Sequence, residues 1–199
     1  MTDIQHSPAA IAIGASAGGF EALARLLAAL PPHCTAAVVV VLHRPADKGE
    51  LLAPLLARRC VLPVKEAEDK EPVAGGTVYL APPDYHLLVE PGLTLALSRA
   101  EPLNFSRPAI DLLFESAALA WRRHLLGIVL TGANHDGAAG LQQIRSCGGS
   151  AWVQDPDDAA VRFMPDAALA QAGADAVLTL AAMCARLPTL FRQCSEGQS

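Results

Sequence analysis

Apolar positions in this chain gather in short continuous runs, and the stretches between them read mostly as helices. The run at 10–14 has no polar residue on either side, which predicts a strand covered on both faces. Residues 20–30 read as a helix, stopped by Pro31-Pro32. Residues 36–42 contain Val38-Val39-Val40-Val41, a second doubly covered strand. A helix is expected over 51–59, and Pro63-Val64 opens an extended stretch. Three short runs follow, at 77–80, 86–89 and 93–97, separated by Pro82-Pro83-Asp84 and Pro91-Gly92. Their spacing predicts an antiparallel meander. A helix is then expected at 108–123, with Ser106 as its cap and Pro108 in its first turn. Beyond it strands at 127–131, 151–153 and 176–178 alternate with helices at 137–145, 165–171 and 180–191.

Alternating strand and helix implies an α/β fold: a doubly wound, mostly parallel sheet with helices on both faces and an inserted antiparallel β-meander or hairpin. At 199 residues, one domain over 10–192 is expected, with a loose lead-in at 1–9 and a tail at 193–199. No internal repeat or low-complexity tract interrupts it. The apolar share of 52% is enough for a large core. A net charge of −5 argues against a nucleic-acid partner, which needs a basic face. No run approaches a membrane span and the first residues lack a signal pattern, so a cytoplasmic protein is expected. The five cysteines are scattered, with no paired ligand spacing and no disulfide framework. Without His-Glu-x-x-His or Cys-x-x-Cys, no metal site is expected.

Parallel strands carry their functional loops at their carboxyl ends. Three such ends hold chemistry candidates. The first runs into Gly14-Ala15-Ser16-Ala17-Gly18, the second into Leu42-His43-Arg44-Pro45, the third into Leu130-Thr131-Gly132-Ala133-Asn134-His135-Asp136-Gly137. A serine, a histidine and an aspartate are the set needed for a nucleophile, a general base and an orienting carboxylate. Their order, Ser-His-Asp, is not that of α/β-hydrolases, despite the Gly-x-Ser-x-Gly pattern. Each residue also has a plain structural role. Ser16 suits the cap of the first helix, His43 an ordinary loop hydrogen bond, and Asp136 the cap of the helix that follows it. The Gly-rich turn at Ser16 also admits dinucleotide binding, but the second glycine of that fingerprint would fall at Ser16 itself. His135 competes for the base role, although its side chain should diverge from Asp136. His86 is a candidate to line the cleft, and His124 should be exposed.

These three segments resemble the catalytic domain of the chemotaxis protein-glutamate methylesterases (CheB-type). Val78-Tyr79-Leu80-Ala81-Pro82, Ser106-Arg107-Pro108-Ala109-Ile110-Asp111-Leu112-Leu113-Phe114 and Phe163-Met164-Pro165 extend the resemblance from about Ile11 to about Leu190. It implies a cofactor-free hydrolase that removes glutamyl methyl esters from chemoreceptor helices, or a similar methylated protein, and deamidates certain glutamines. A methyltransferase would then be a pathway partner. The resemblance implies Ser16 as nucleophile, His43 as base and Asp136 as orienting acid, with the backbone N–H groups of Ala17 and Ala133 holding the oxyanion. Members commonly have threonine at Ala17, methionine at Ala133, a smaller Gly-Asn pair at Asn134-His135, and Gln and Met at Leu42 and Arg44. The best-known members carry an N-terminal receiver domain; this chain starts almost at the first catalytic strand, so a free-standing enzyme independent of phosphorylation is expected. Two rival readings are a serine esterase or amidase with a non-receptor substrate, and a non-catalytic regulatory module on the same fold.

Overall fold

The computed structural model describes residues 7–43 and 52–191. The expectations at 1–6, at Arg44 and Pro45, at residue 51 and in the tail 193–199 lie outside the described residues. Seven strands form one sheet: β1 (Ala10–Ala15), β2 (Ala37–Leu42), β3 (Val64–Glu66), β4 (Val78–Leu80), β7 (Leu125–Val129), β8 (Ser150–Gln154) and β9 (Ala176–Leu178). Every pairing within it is parallel, in the order β3-β4-β2-β1-β7-β8-β9. The chain builds outward from β1 on one side, then returns to lay β7 against its other edge. Loops leaving β1 and β7 therefore diverge, which is where an open α/β sheet forms a crevice.

Among the described strands, β5 (His86–Val89) and β6 (Leu95–Ser98) pair antiparallel, as a separate hairpin. The expected third strand of a meander, Val78–Leu80, joins the parallel sheet instead, between β2 and β3. All three of its residues are buried, so both faces are covered, and a two-stranded hairpin offers no such cover.

Alternation along the central strands divides the core in two. Ile11, Ile13, Val38 and Val40 face one layer with α1 (Gly19–Ala28), α2 (Leu52–Ala57) and α6 (Leu180–Arg186). Ala10, Ala12, Val39 and Val41 face the other, with α3 (Ile110–Trp121), α4 (Ala138–Ser146) and α5 (Phe163–Gln171). The expected closing helix at 180–191 changes to a 3₁₀ turn over Leu187–Phe191, where Pro188 withdraws a backbone donor. The helix expected from Pro108 begins two residues later, at Ile110, and its N-terminal residue Ala109 supplies no side-chain cap. Ser106 is not the cap; the α3 N-terminus is satisfied from another loop, as described below.

Candidate active site

Ser16 follows the last residue of β1 and is half-buried. The turn to α1 closes through Gly18, whose φ of 74° is the left-handed conformation that glycine adopts without a Cβ penalty. Gly18 is also the N-cap residue of α1, with no side-chain cap bond. Ser16 therefore does not cap the helix; its carbonyl accepts the Gly19 N–H at 2.8 Å. The turn is stitched to the exit of β7. Ser16 N–H donates to the Thr131 carbonyl at 3.0 Å, and Thr131 Oγ1 donates to the Ala17 carbonyl at 2.9 Å while accepting the Val161 N–H at 2.8 Å. Buried Gln154 in turn accepts the Thr131 N–H through Oε1 at 2.9 Å. At Gly132 an added Cβ would stand 2.9 Å from Ser16 Cβ and 2.6 Å from Met164 Cε, so only glycine lets this loop lie so close to the serine.

His43 is placed by strand register. Ala15 pairs with Leu42, so Ser16 and His43 are the next residues on adjacent parallel strands. The His43 N–H donates to the Ala15 carbonyl at 2.9 Å, which carries the ladder one step further. Adjacent strands lie about 4.8 Å apart. Alternation puts both residues on the α3 side, because Ala15 and Leu42 belong to the opposite core layer.

Asp136 reaches the same place from the loop after β7. Its Oδ2 lies 2.9 Å from His43 Nε2; Asp136 is fully buried and the His43 side chain 11% exposed. The Nε2–H direction does not lie along this contact, so the ring must turn to make a straight hydrogen bond. Asp136 also accepts the Ile110 N–H at Oδ2, at 2.7 Å, and the Asp111 N–H at Oδ1, at 3.0 Å. These are the first N–H groups of α3, a position where the helix dipole favours a carboxylate. Asp136 is thus a cap, but of α3 and not of the helix that follows it. Burial pushes its carboxyl up, yet the His43 contact and the two backbone donors outweigh burial and hold it below the ordinary carboxylate range.

The helix after Asp136, α4, is capped in return by Asp111. Its Oδ1 accepts Gly137 N–H at 2.9 Å and Gly140 N–H at 2.7 Å. Burial, opposed by the Gly140 donor, and then the nearby Asp136 charge push the Asp111 carboxyl up to about 6. The Asn104 amide sits between the two carboxylates, 3.1 Å from Asp111 Oδ2 and 3.4 Å from Asp136 Oδ1. Sequence reasoning passed over Asp111, although a lone carboxylate inside Ile110-Asp111-Leu112-Leu113-Phe114 was the available signal. Asn104 and Thr131 left no comparable signal.

Asn134 is a further polar neighbour of the imidazole. Its Oδ1 accepts Asp136 N–H at 3.3 Å, which turns Nδ2 toward His43 Nδ1 at 3.4 Å and Ser106 Oγ at 3.5 Å. Three other histidines stand apart. His135 is exposed, and so is His124. His86, a candidate for the cleft, is instead fully buried: Nδ1 accepts the Ala109 N–H at 3.1 Å and Nε2 lies 3.2 Å from the Glu101 carbonyl. It pins the hairpin to the start of α3. Ala17 and Ala133 are exposed, and neither N–H donates to another described residue. Among the described residues no group of three or more His, Cys, Asp or Glu side chains converges to hold a metal ion, and no helix is long and apolar enough to cross a membrane.

Comparison with known proteins places these features in a family. Residues 11–187 match the family model described as CheB methylesterase. A relative from Leptospira interrogans (strain Fiocruz L1-130) is 45% identical over 171 residues, spanning 86% of this chain and 89% of its own length. The protein-glutamate methylesterase/protein-glutamine glutaminase of Maricaulis maris is 43% identical over 194 residues, 96% of this chain but 47% of its own length. The crystal structure of the Thermotoga maritima CheB methylesterase catalytic domain superposes with a TM-score of 0.84 at 32% identity, covering 93% of this chain and 97% of that one.

Proposed function

The chain belongs to the CheB methylesterase family, and from that premise we propose that it hydrolyses glutamate γ-methyl esters on a methylated chemoreceptor and deamidates glutamines by the same chemistry. The observation that carries this reading is the register that sets Ser16 beside His43, with Asp136 2.9 Å from the imidazole.

In this mechanism Ser16 Oγ attacks the ester carbonyl while His43 takes its proton. Asp136 faces Nε2, so Nε2 keeps its hydrogen and Nδ1 presents the lone pair. As the imidazolium forms, the ionised Asp136 stabilises it. The backbone N–H groups of Ala17 and Ala133 serve the oxyanion, and their role is independent of the side chains at those positions. One such donor is typically worth about 3 kcal/mol of transition-state stabilisation. The tetrahedral carbon then expels methoxide, which leaves as methanol with the proton from His43. Water, deprotonated by His43, attacks the Ser16 ester, the acyl–Oγ bond breaks, His43 returns the proton to Ser16 Oγ, and the glutamate carboxylate leaves. With a glutamine side chain, ammonia leaves in place of methanol.

The test is methanol release from a methylated receptor fragment by wild type and by Ser16→Ala. The proposal requires release by the first and none above background by the second, with unchanged circular dichroism. Equal release by both removes Ser16 as nucleophile.

A further inference from the structure

We propose that Phe105 is the apolar anchor on which the substrate polypeptide seats beside the His43–Asp136 pair; this rests on the function proposed above. Leu103 and Ser106 exchange backbone hydrogen bonds, Ser106 N–H donating at 2.9 Å and Leu103 N–H at 3.2 Å, so Asn104 and Phe105 form a two-residue turn. Both have positive φ, 52° and 61°. Such turns ask for Asn followed by Gly, because the second residue also needs the left-handed region. Here a phenylalanine occupies it, and its ring is wholly exposed, at 103% of the reference area.

A bulky residue in left-handed backbone costs stability, and a ring packed on nothing regains none of it. Folding therefore gives no reason for Phe105. Its position gives one. Asn104 on one side reaches Asp136, and Ser106 on the other meets Asn134. Just after the turn, Arg107 forks onto Asp84 at 2.6 and 3.0 Å and donates to the Arg99 and Ala100 carbonyls. The ring thus stands out from a turn whose two flanking side chains face the site. Phe163, another exposed phenylalanine, precedes Met164, which packs close to Gly132. An exposed aromatic beside the site suits a polypeptide with an apolar side chain near its esterified glutamate, since aromatic side chains anchor partners at little entropic cost.

The experiment measures kcat and KM for methanol release from a methylated receptor fragment, with Phe105→Gly and Phe105→Leu beside the wild type, together with Tm and sedimentation. Expected for Phe105→Gly are a KM raised about tenfold or more, a kcat within a factor of two or so, and a Tm equal to or above wild type, because glycine relieves the backbone. Phe105→Leu should recover part of the KM. An unchanged KM overturns the anchor, as does a lowered Tm, which would make the ring a packing element. A dimer of the wild type that Phe105→Gly dissolves assigns the ring to self-association instead. If the wild type releases no methanol, the proposed function falls first and the anchor with it. Methanol release that ignores Phe105 removes the anchor alone.

Discussion

Asp136 caps the helix that carries Asp111, and Asp111 caps the helix that follows Asp136. Two buried carboxylates thereby satisfy four backbone donors at two helix starts, neither of which has a capping side chain of its own. The exchange locks the β7–α4 loop to α3, so the carboxylate that meets His43 is fixed by secondary structure on both sides.

Asp136→Asn should abolish most of the methanol release while sparing the fold. The amide oxygen can still accept one α3 donor, but the charge opposite the imidazolium is gone. In a serine protease the same exchange costs about 10⁴ in kcat. Loss of part of the cap should cost about 1 kcal/mol of stability. Turnover within a factor of ten of wild type, measured on the receptor fragment, excludes Asp136 from the reaction.

Asp111 gives the protein a distinct pH signature. Its folded-state carboxyl is raised from the ordinary 3.8 to about 6, so between those values the folded chain holds more protons than the unfolded one. Stability contributed by this group is complete below about pH 4 and is lost as pH rises through about 6, by no more than about 3 kcal/mol. Asp136 acts oppositely: its depressed carboxyl contributes above the ordinary carboxylate range and loses that contribution in acid. Asp111→Asn keeps an oxygen for Gly137 and Gly140 and removes the titration. In urea unfolding at pH 4, 5 and 6 the wild type should lose stability relative to the variant as pH rises; a difference that does not change with pH rules the assignment out.

Asn134→Gly should speed the enzyme. The Asn134 amide lies 3.4 Å from His43 Nδ1, the nitrogen proposed to receive the serine proton. A hydrogen bond there occupies the lone pair before substrate arrives. Its removal should raise kcat by up to about fivefold, the equivalent of one ordinary hydrogen bond. A fall in kcat would instead make Asn134 a support for the imidazole.

Thr131→Val replaces the hydroxyl that ties the Ala17 carbonyl to the Val161 N–H. Shape is kept, while two polar groups lose a partner, at about 1–3 kcal/mol. The Ser16 turn loosens, so kcat should fall more than KM rises. Thermal melting with steady-state kinetics checks both; a variant with wild-type Tm and kcat shows that the turn stands without the staple.

The sheet was legible in the sequence because its strands announce themselves. Val38-Val39-Val40-Val41 leaves no face for water, and the strand-end placement of Ser16 and His43 followed directly. Val78–Leu80 was misplaced because a three-residue apolar run looks the same in a hairpin and in a parallel sheet; burial on both faces distinguishes them, and that is a tertiary property. His86 was similarly ambiguous: only packing shows that both ring nitrogens face backbone groups. The exchanged caps were beyond local reasoning. A capping rule looks three residues ahead, whereas Asp136 caps a helix 26 residues earlier in the chain.

Ser16 and His43 are one rung of a parallel ladder, continued just past its last paired residues. Their backbone separation is therefore inherited from the spacing of β-strands, a constant of polypeptides, while the turn sets only how the serine side chain is aimed. Insertions between 17 and 36 leave that distance untouched, whereas a single-residue slip of β2 against β1 would carry the histidine to the far side of the sheet. Variation among descendants of this scaffold should accordingly accumulate in the segments that approach the ester from outside, while the paired ends of β1 and β2 tolerate neither gain nor loss of a residue.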